Sequence, residues 1–251
     1  MLEQIAEPLL KWYDTNKRSL PWRDQNNAYY TWVSEIMLQQ TRVEAVKPYF
    51  TQFVRELPDI KSLAECPQER LMKLWEGLGY YSRVRNMQAA AMQVMEQYGG
   101  ELPGDHQALL KLKGIGSYTA GAIASIAFGI PAAAVDGNVL RVVSRLCASY
   151  EDITKVSVRK KTEELLLKII PPHRPGDFNQ ALMELGAVVC VPNGAPDCGA
   201  CPVSGLCLAR LHGRTGEIPK KKPKQQRRIE EKTVLVVRDE LHTVIQKRPA
   251  R

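Results

Sequence analysis

The sequence predicts an all-α body closed by a metal-binding loop, followed by the start of a smaller domain that contains β-strands. Three observations carry this prediction. Apolar residues recur at helical spacing through almost all of residues 1–212. The helical runs are short and separated by proline or paired glycine. Four cysteines, Cys190, Cys198, Cys201 and Cys207, crowd together at the end of that region.

Taken in order, Ile5, Leu9, Leu10, Trp12 and Tyr13 share one face of a first helix, and Pro21 after Leu20 ends the segment. Val33, Ile36 and Met37 mark an amphipathic helix, and Leu71, Leu74 and Trp75 another. Pro58, Pro67, Gly99-Gly100, Pro131 and Pro171-Pro172 are the remaining stops. Asp105 reads as the N-cap of a helix over 106–112, and Ser157 as the N-cap of one over 158–170, where Leu165, Leu166, Ile169 and Ile170 repeat. Residues 213–232 are polar, basic and interrupted by proline, as a linker would be. Beyond it, residues 233–237 and 243–246 read as two strands joined by a turn at 238–242. Two strands do not make an independent domain, so the chain is expected to stop inside its second one.

Composition limits the function classes. A chain of 251 residues with 44% hydrophobic content can bury a large core, and no run of 18 apolar residues occurs. The N-terminal eleven residues are an acidic-tinged amphipathic stretch rather than a leader, so a soluble, intracellular protein is expected. The net charge of +8 suggests an anionic partner. Residues 210–232 hold nine Lys/Arg against three Asp/Glu, whereas residues 1–209 hold 22 of each sign. A grip on a polyanion by the body must therefore come from local patches and backbone amides.

The cysteines follow the pattern C-x7-C-x2-C-x5-C, with Pro202 after the third. In a long chain with no leader such crowding points to metal rather than disulfides. Zinc sites usually divide their cysteines into two short pairs, and only one is present here. One short pair flanked by two more distant cysteines fits a [4Fe–4S] cluster better than zinc or unrelated buried thiols. Cys66 and Cys147 lie in apolar surroundings and read as core residues.

The run Leu112-Lys113-Gly114-Ile115-Gly116 lies between two helical stretches, 106–112 and 117–128. Glycines two apart permit a tight hairpin with left-handed backbone angles. Its bare amides and the following helix N-terminus suit a phosphate. Twenty residues beyond Gly116 stands Asp136, in Val135-Asp136-Gly137-Asn138-Val139. An acid amid apolar residues is costly to bury unless something uses it.

With the cysteine run, these features resemble the endonuclease III (helix–hairpin–helix) superfamily of DNA glycosylases. Three stretches narrow the resemblance to its adenine DNA glycosylase (MutY) family: Leu20-Pro21-Trp22-Arg23, Ser34-Glu35-Ile36-Met37-Leu38-Gln39-Gln40-Thr41, and Gly77-Leu78-Gly79-Tyr80-Tyr81-Ser82-Arg83. The resemblance covers residues 1–212. It implies a helix–hairpin–helix DNA glycosylase fold with an iron–sulfur loop, then a fragment of a Nudix-like α+β domain. It further implies a monomeric enzyme that flips and hydrolytically excises adenine paired with 8-oxoguanine or guanine in double-stranded DNA. The same fold also serves other glycosylases, such as thymine–guanine mismatch enzymes, and could serve a non-catalytic damage binder.

The chemistry needs two carboxyl groups in different protonation states, by analogy with glycoside hydrolysis. By the resemblance Glu35 is the general acid that protonates adenine N7. Asp136, at a helix start that favours its anion, offsets the cationic sugar. Asn138 positions Asp136 and the attacking water. Tyr118 stands where bifunctional relatives carry a Schiff-base lysine, which implies a monofunctional enzyme with the tyrosine near the sugar. Arg18, Trp22, Arg23 and Gln180 are expected to line the base pocket. Gln40 and Tyr80 should enter the helix, Gly114 and Gly116 should form the hairpin, and Arg83 and Arg85 should meet phosphates. By the resemblance six residues lie between the family's first two cysteines; here residues 191–197 make seven, and they carry no basic residue. The four cysteines would hold a [4Fe–4S] cluster.

Overall fold

The computed structural model describes residues 2–23, 27–222, 229–231, 233 and 236–244. The chain divides into two units, Met1–Lys221 and Lys222–Arg251. In the first, a 3₁₀ turn, Leu2–Ile5, leads into α1 (Ala6–Asn16). There follow α2 (Ala28–Leu38), α3 (Val43–Glu56), α4 (Ile60–Glu65), α5 (Gln68–Leu74) and α6 (Ser82–Tyr98). Next come α7 (His106–Leu110), α8 (Ser117–Phe128), α9 (Gly137–Leu146), α10 (Val156–Leu167), α11 (Pro175–Val188) and the short α12 (Leu208–Leu211). Among the described residues there is no strand. The only pairings are isolated bridges, Asp152 with Lys220 and Arg238 with Thr243.

Two apolar clusters hold this unit together. One gathers Trp32, Phe50, Phe53, Trp75 and Met87 with α2 packed on α8. The other gathers Leu9, Tyr13, Val139, Leu166 and Phe178 around α1, α9 and α11. Burying each such side chain stabilises the fold by about 1.5–3 kcal/mol.

Several boundaries fall as the residues require. Asp105 caps α7 by accepting from the Ala108 N–H at 2.7 Å. Gly99, at φ +64°, ends α6 in the left-handed conformation that a β-carbon disfavours. Other boundaries differ from expectation. α7 stops at Leu110, and Lys111 and Leu112 belong to the turn. α10 starts at Val156, one residue ahead of the expected cap Ser157. α2 is not amphipathic, because Tyr29 and every residue from Thr31 to Met37 are buried.

The first unit extends beyond residue 212. Arg145 donates to the Ile218 carbonyl at 2.8 Å, Ile218 is buried, and Ile153 N–H reaches the Lys220 carbonyl at 3.1 Å. The start of the expected linker is thus packed structure. In the second unit, Val244 N–H donates to Val237 at 3.0 Å across a turn where Asp239 accepts from the Leu241 and His242 N–H groups. Residues 223–228 and 232 of the expected linker, and 234–235 and 245–246 of the expected strands, lie outside the described residues.

Candidate active site

A cavity of about 1050 Å³ opens between the two apolar clusters. Its wall collects Arg18, Trp22, Arg23, Glu35, Gln40, Tyr118, Asp136, Asn138, Gln180 and Glu184. Tyr80, Gly114 and Gly116 lie outside that wall.

Glu35 projects from buried α2 and accepts a hydrogen bond from the Tyr118 hydroxyl on the first turn of α8. Burial pushes its carboxyl up to about 7, with the Tyr118 bond and the Arg23 charge opposing and the Asp136 charge adding. Burial also raises the Tyr118 phenol well above its ordinary value, and both carboxylates add to the effect. Tyr118 therefore keeps its proton and donates it.

Asp136 is the N-cap of α9. It accepts from the Val139 N–H at 2.7 Å and from the Asn138 side chain at 2.8 Å. Burial raises its pKa, against these bonds and the Arg141 charge. The helix start alone would have favoured the anion, so the expectation of a freely ionised carboxylate is tempered by depth. Of the two acids, Asp136 has the donors that an anion needs.

The strand-like approach to Asp136 is fixed from behind. Buried Asn179 donates to Ser125 Oγ at 2.8 Å and to the Ala132 carbonyl at 2.7 Å, and accepts from Ala134 N–H at 3.1 Å. Arg159 bonds the Val135 carbonyl. Arg141 then ties three neighbours together. It donates to Asn138 Oδ1 at 2.8 Å, to the Gly186 carbonyl at 2.6 Å and to the Cys190 carbonyl at 2.7 Å.

Arg18 and Arg23 are not free cations. Both bind Glu184, Arg18 through Nε at 2.5 Å and Arg23 through Nη2 at 2.9 Å. Burial opposes the charge on Glu184, but the two guanidinium groups outweigh it and hold the carboxyl below its usual range. Sequence reasoning passed over Glu184. It is an acid within the apolar run Ala181-Leu182-Met183-Glu184-Leu185, the same signal that singled out Asp136. Gln180 stands one helical turn earlier on the same face.

Gly114, at φ +78°, sits where a β-carbon would come 2.8 Å from Asn86 Cβ, so glycine is required. Gly116 has φ −97° and is extended, so only the first hairpin glycine is left-handed. It serves instead as the N-cap position of α8. Tyr80 is 64% exposed, and Arg85 is exposed. Arg83 turns inward onto backbone carbonyls at Ile36, Met37, Gln39, Leu78 and Gly79, which corrects the expectation that it meets a phosphate.

The four cysteines of the run are free thiols. Asp197 N–H donates back to Val189 at 3.0 Å, which closes the loop and returns Cys198 towards Cys190. Burial pushes the Cys201 thiol up to about 11, and Cys190, Cys207 and Cys198 are all near enough to add to the shift. Arg145 lies 3.2 Å from Cys190 Sγ. Among the described residues no three His, Cys, Asp or Glu side chains are grouped tightly enough to hold a single metal ion. Four thiols with a cation beside one of them have the chemistry of a thiolate donor set.

The family model described as "HhH-GPD superfamily base excision DNA repair protein" matches residues 33–171, which contain Glu35, the hairpin and Asp136. The chain belongs to the HhH-GPD superfamily. An adenine DNA glycosylase of Mus musculus is 47% identical over 219 residues, covering 84% of this chain and 42% of that protein. The chain thus spans less than half the length of that relative. A solved thermostable thymine-DNA glycosylase superposes with a TM-score of 0.75 at 28% identity, covering 84% of this chain and 97% of that one. An endonuclease III from a non-covalent DNA complex gives 0.69 at 25% identity, covering 85% and 98%. No helix among the described residues is long and apolar enough to cross a membrane.

Proposed function

We propose that this protein is a monofunctional DNA glycosylase that hydrolytically removes adenine paired with 8-oxoguanine or guanine in double-stranded DNA. The observation that carries the reading is the pair Glu35 and Asp136, one buried and one part-buried carboxyl on different helices that face one cavity. Their surroundings set them apart. Glu35 has one donor and a pKa near neutrality, so it can hold a proton for adenine N7. Asp136 has the Val139 amide, Asn138 and the α9 N-terminus, so it carries the charge that stabilises an oxocarbenium-like sugar. Asn138 also presents its amide beside that carboxylate, where an attacking water must be oriented.

Glu184, locked between Arg18 and Arg23, gives the base pocket a fixed polar edge, with Gln180 and Trp22 beside it. Adenine must leave the stack to reach it. Tyr80 and Gln40, both exposed, are read as the side chains that fill the space it vacates. With Tyr118 donating to Glu35, no lysine occupies the place of the Schiff-base nucleophile, which supports base removal without strand cleavage.

The cysteine loop is read as the holder of a [4Fe–4S] cluster through Cys190, Cys198, Cys201 and Cys207. When bound, such a cluster supplies four thiolate bonds that fix the loop. The second unit is read as the start of a Nudix-like domain that checks the opposite base, and the protein as a monomer acting on DNA inside the cell.

Single-turnover assays on adenine opposite 8-oxoguanine, guanine and thymine test the reading, with thymine opposite guanine as the rival substrate. Adenine release that vanishes in Asp136→Asn supports it. Thymine release, or binding with no base loss, overturns it.

A further inference from the structure

Among the described residues Arg83 is the most heavily engaged cation, and its partners lie on two segments far apart in sequence. Nη1 lies 2.8 Å from the Ile36 carbonyl, 3.1 Å from Met37 and 2.6 Å from Gln39, all at the end of α2. Nη2 lies 2.9 Å from the Leu78 carbonyl and 3.3 Å from Gly79, in the turn before α6. The guanidinium also stacks 5.3 Å from the Trp75 ring centre and 5.7 Å from Tyr80. Trp75 Nε1 donates to the Gly79 carbonyl at 3.1 Å, so that peptide is held from both sides.

The residues after the two clamped peptides share an uncommon conformation. Gln40 follows Gln39 at φ +59°, and Tyr80 follows Gly79 at φ +45°. Among the described residues only Ala148 joins them as a non-glycine with positive φ. Neither side chain is small, so both conformations are strained and persist only where the surroundings impose them. Both side chains are exposed. One fork thus fixes the carbonyl immediately before each of the two residues read as DNA wedges.

The remaining donor of the fork is also placed. Arg83 Nε and the indole N–H of fully buried Trp32 have no protein partner, and both residues border a cavity of about 70 Å³ with Gln39, Ser82 and Asn86. The space is polar and large enough for a water molecule that accepts from both, which would tether the fork to α2 itself.

We propose that Arg83 is the positioning residue that sets the spacing and the strained backbone of Gln40 and Tyr80, so that both wedges are aimed before DNA arrives. The inference rests on the glycosylase reading above. Lysine cannot replace the arginine, because an ammonium is a point donor and cannot span two rows of carbonyls. The role therefore acts through Tyr80 and Gln40, not through contact with the base or sugar.

A double-mutant cycle on the full chain tests this. Single-turnover adenine release from an adenine–guanine duplex is measured for the parent, Arg83→Lys, Tyr80→Leu and the combination, each with parental helical circular dichroism. Arg83→Lys should slow release by about ten- to a hundredfold, the upper end being the cost of a misplacement of about 1 Å. In the Tyr80→Leu background the same change should cost less than about threefold, since coupled residues are not additive. Equal losses in both backgrounds, or no loss in either, overturn the proposal. Arg83→Gln replaces the lysine variant if that one does not fold, and failure of both to fold would make Arg83 a folding residue and overturn it too. A parent chain that releases no adenine would instead sink the glycosylase reading.

Discussion

Replacing Glu35 by glutamine should abolish adenine release and, in the same protein, make the fold more stable above neutral pH. The side chain is 6% exposed, and burial lifts its carboxyl from an ordinary 4.5 to about 7. The folded state therefore holds a proton that the unfolded state releases between those two values. Stability is complete below about 4.5 and falls as pH rises, levelling off above about 7. Each pKa unit corresponds to about 1.4 kcal/mol, so the ionised carboxyl removes roughly 3 kcal/mol from the fold at pH 8. Glutamine never ionises, and its carbonyl still accepts from Tyr118. Urea unfolding should thus find Glu35→Gln more stable than the parent by up to about 3 kcal/mol at pH 8, shrinking below about 1 kcal/mol at pH 5. A stability difference that is the same at both pH values would refute the claim that a buried, proton-holding carboxyl stands at position 35. Dead catalysis with raised stability is the joint signature of a group kept for function against the interest of the fold.

Other outcomes follow from the same site. Arg141→Met takes its donor away from the buried Gly186 carbonyl, at a cost of about 1–3 kcal/mol, and from the part-buried acceptors of Asn138 and Cys190, at a smaller cost each. It should lower the melting temperature and slow adenine release at least tenfold; a lower melting temperature at an unchanged rate would limit Arg141 to structure. Protein made with ample iron should carry about four irons and four labile sulfides per chain, and stripping them should lower the melting temperature; stoichiometric zinc would overturn the cluster. Borohydride should trap no DNA adduct with the parent chain, whereas Tyr118→Lys should gain one. Efficient trapping by the parent would mean that another lysine is the nucleophile.

The helical architecture was legible because short apolar runs separated by Pro and Gly admit little else. α8 begins and ends at the residues expected of it, and Asp105 caps α7 as its side chain requires. The placement of Glu35 and Asp136 in one cavity was readable through the specific motifs around each; Asp136 also stood out as an acid amid apolar residues, whereas nothing in the type of Glu35 announced it. Direction was what the sequence hid. Arg83 reads as one more cation beside an exposed turn, and nothing local reveals that five carbonyls of two segments converge on it. Arg18 and Arg23 read as base-pocket residues, but their engagement by Glu184 depends on α11 crossing them from 160 residues further along the chain. Gly116 shows the limit of composition, since glycine at a hairpin need not be left-handed.

α11 has a consequence of its own. Asn179 fastens the segment that leads into Asp136, Gln180 and Glu184 border the cavity, and Gly186 packs so tightly on Asn138 that a β-carbon would come within 2.6 Å. One rod therefore carries both a polar edge of the cavity and the brace behind Asp136. On the glycosylase reading it works as a ruler: the backbone spacing between the polar edge at Gln180 and Glu184 and the brace at Gly186 is set by helical rise. A purine and a pyrimidine differ in length by about the width of a ring. A smaller base could fill the pocket and still present its sugar at the wrong mark, so selectivity can arise from length before any hydrogen bond is counted.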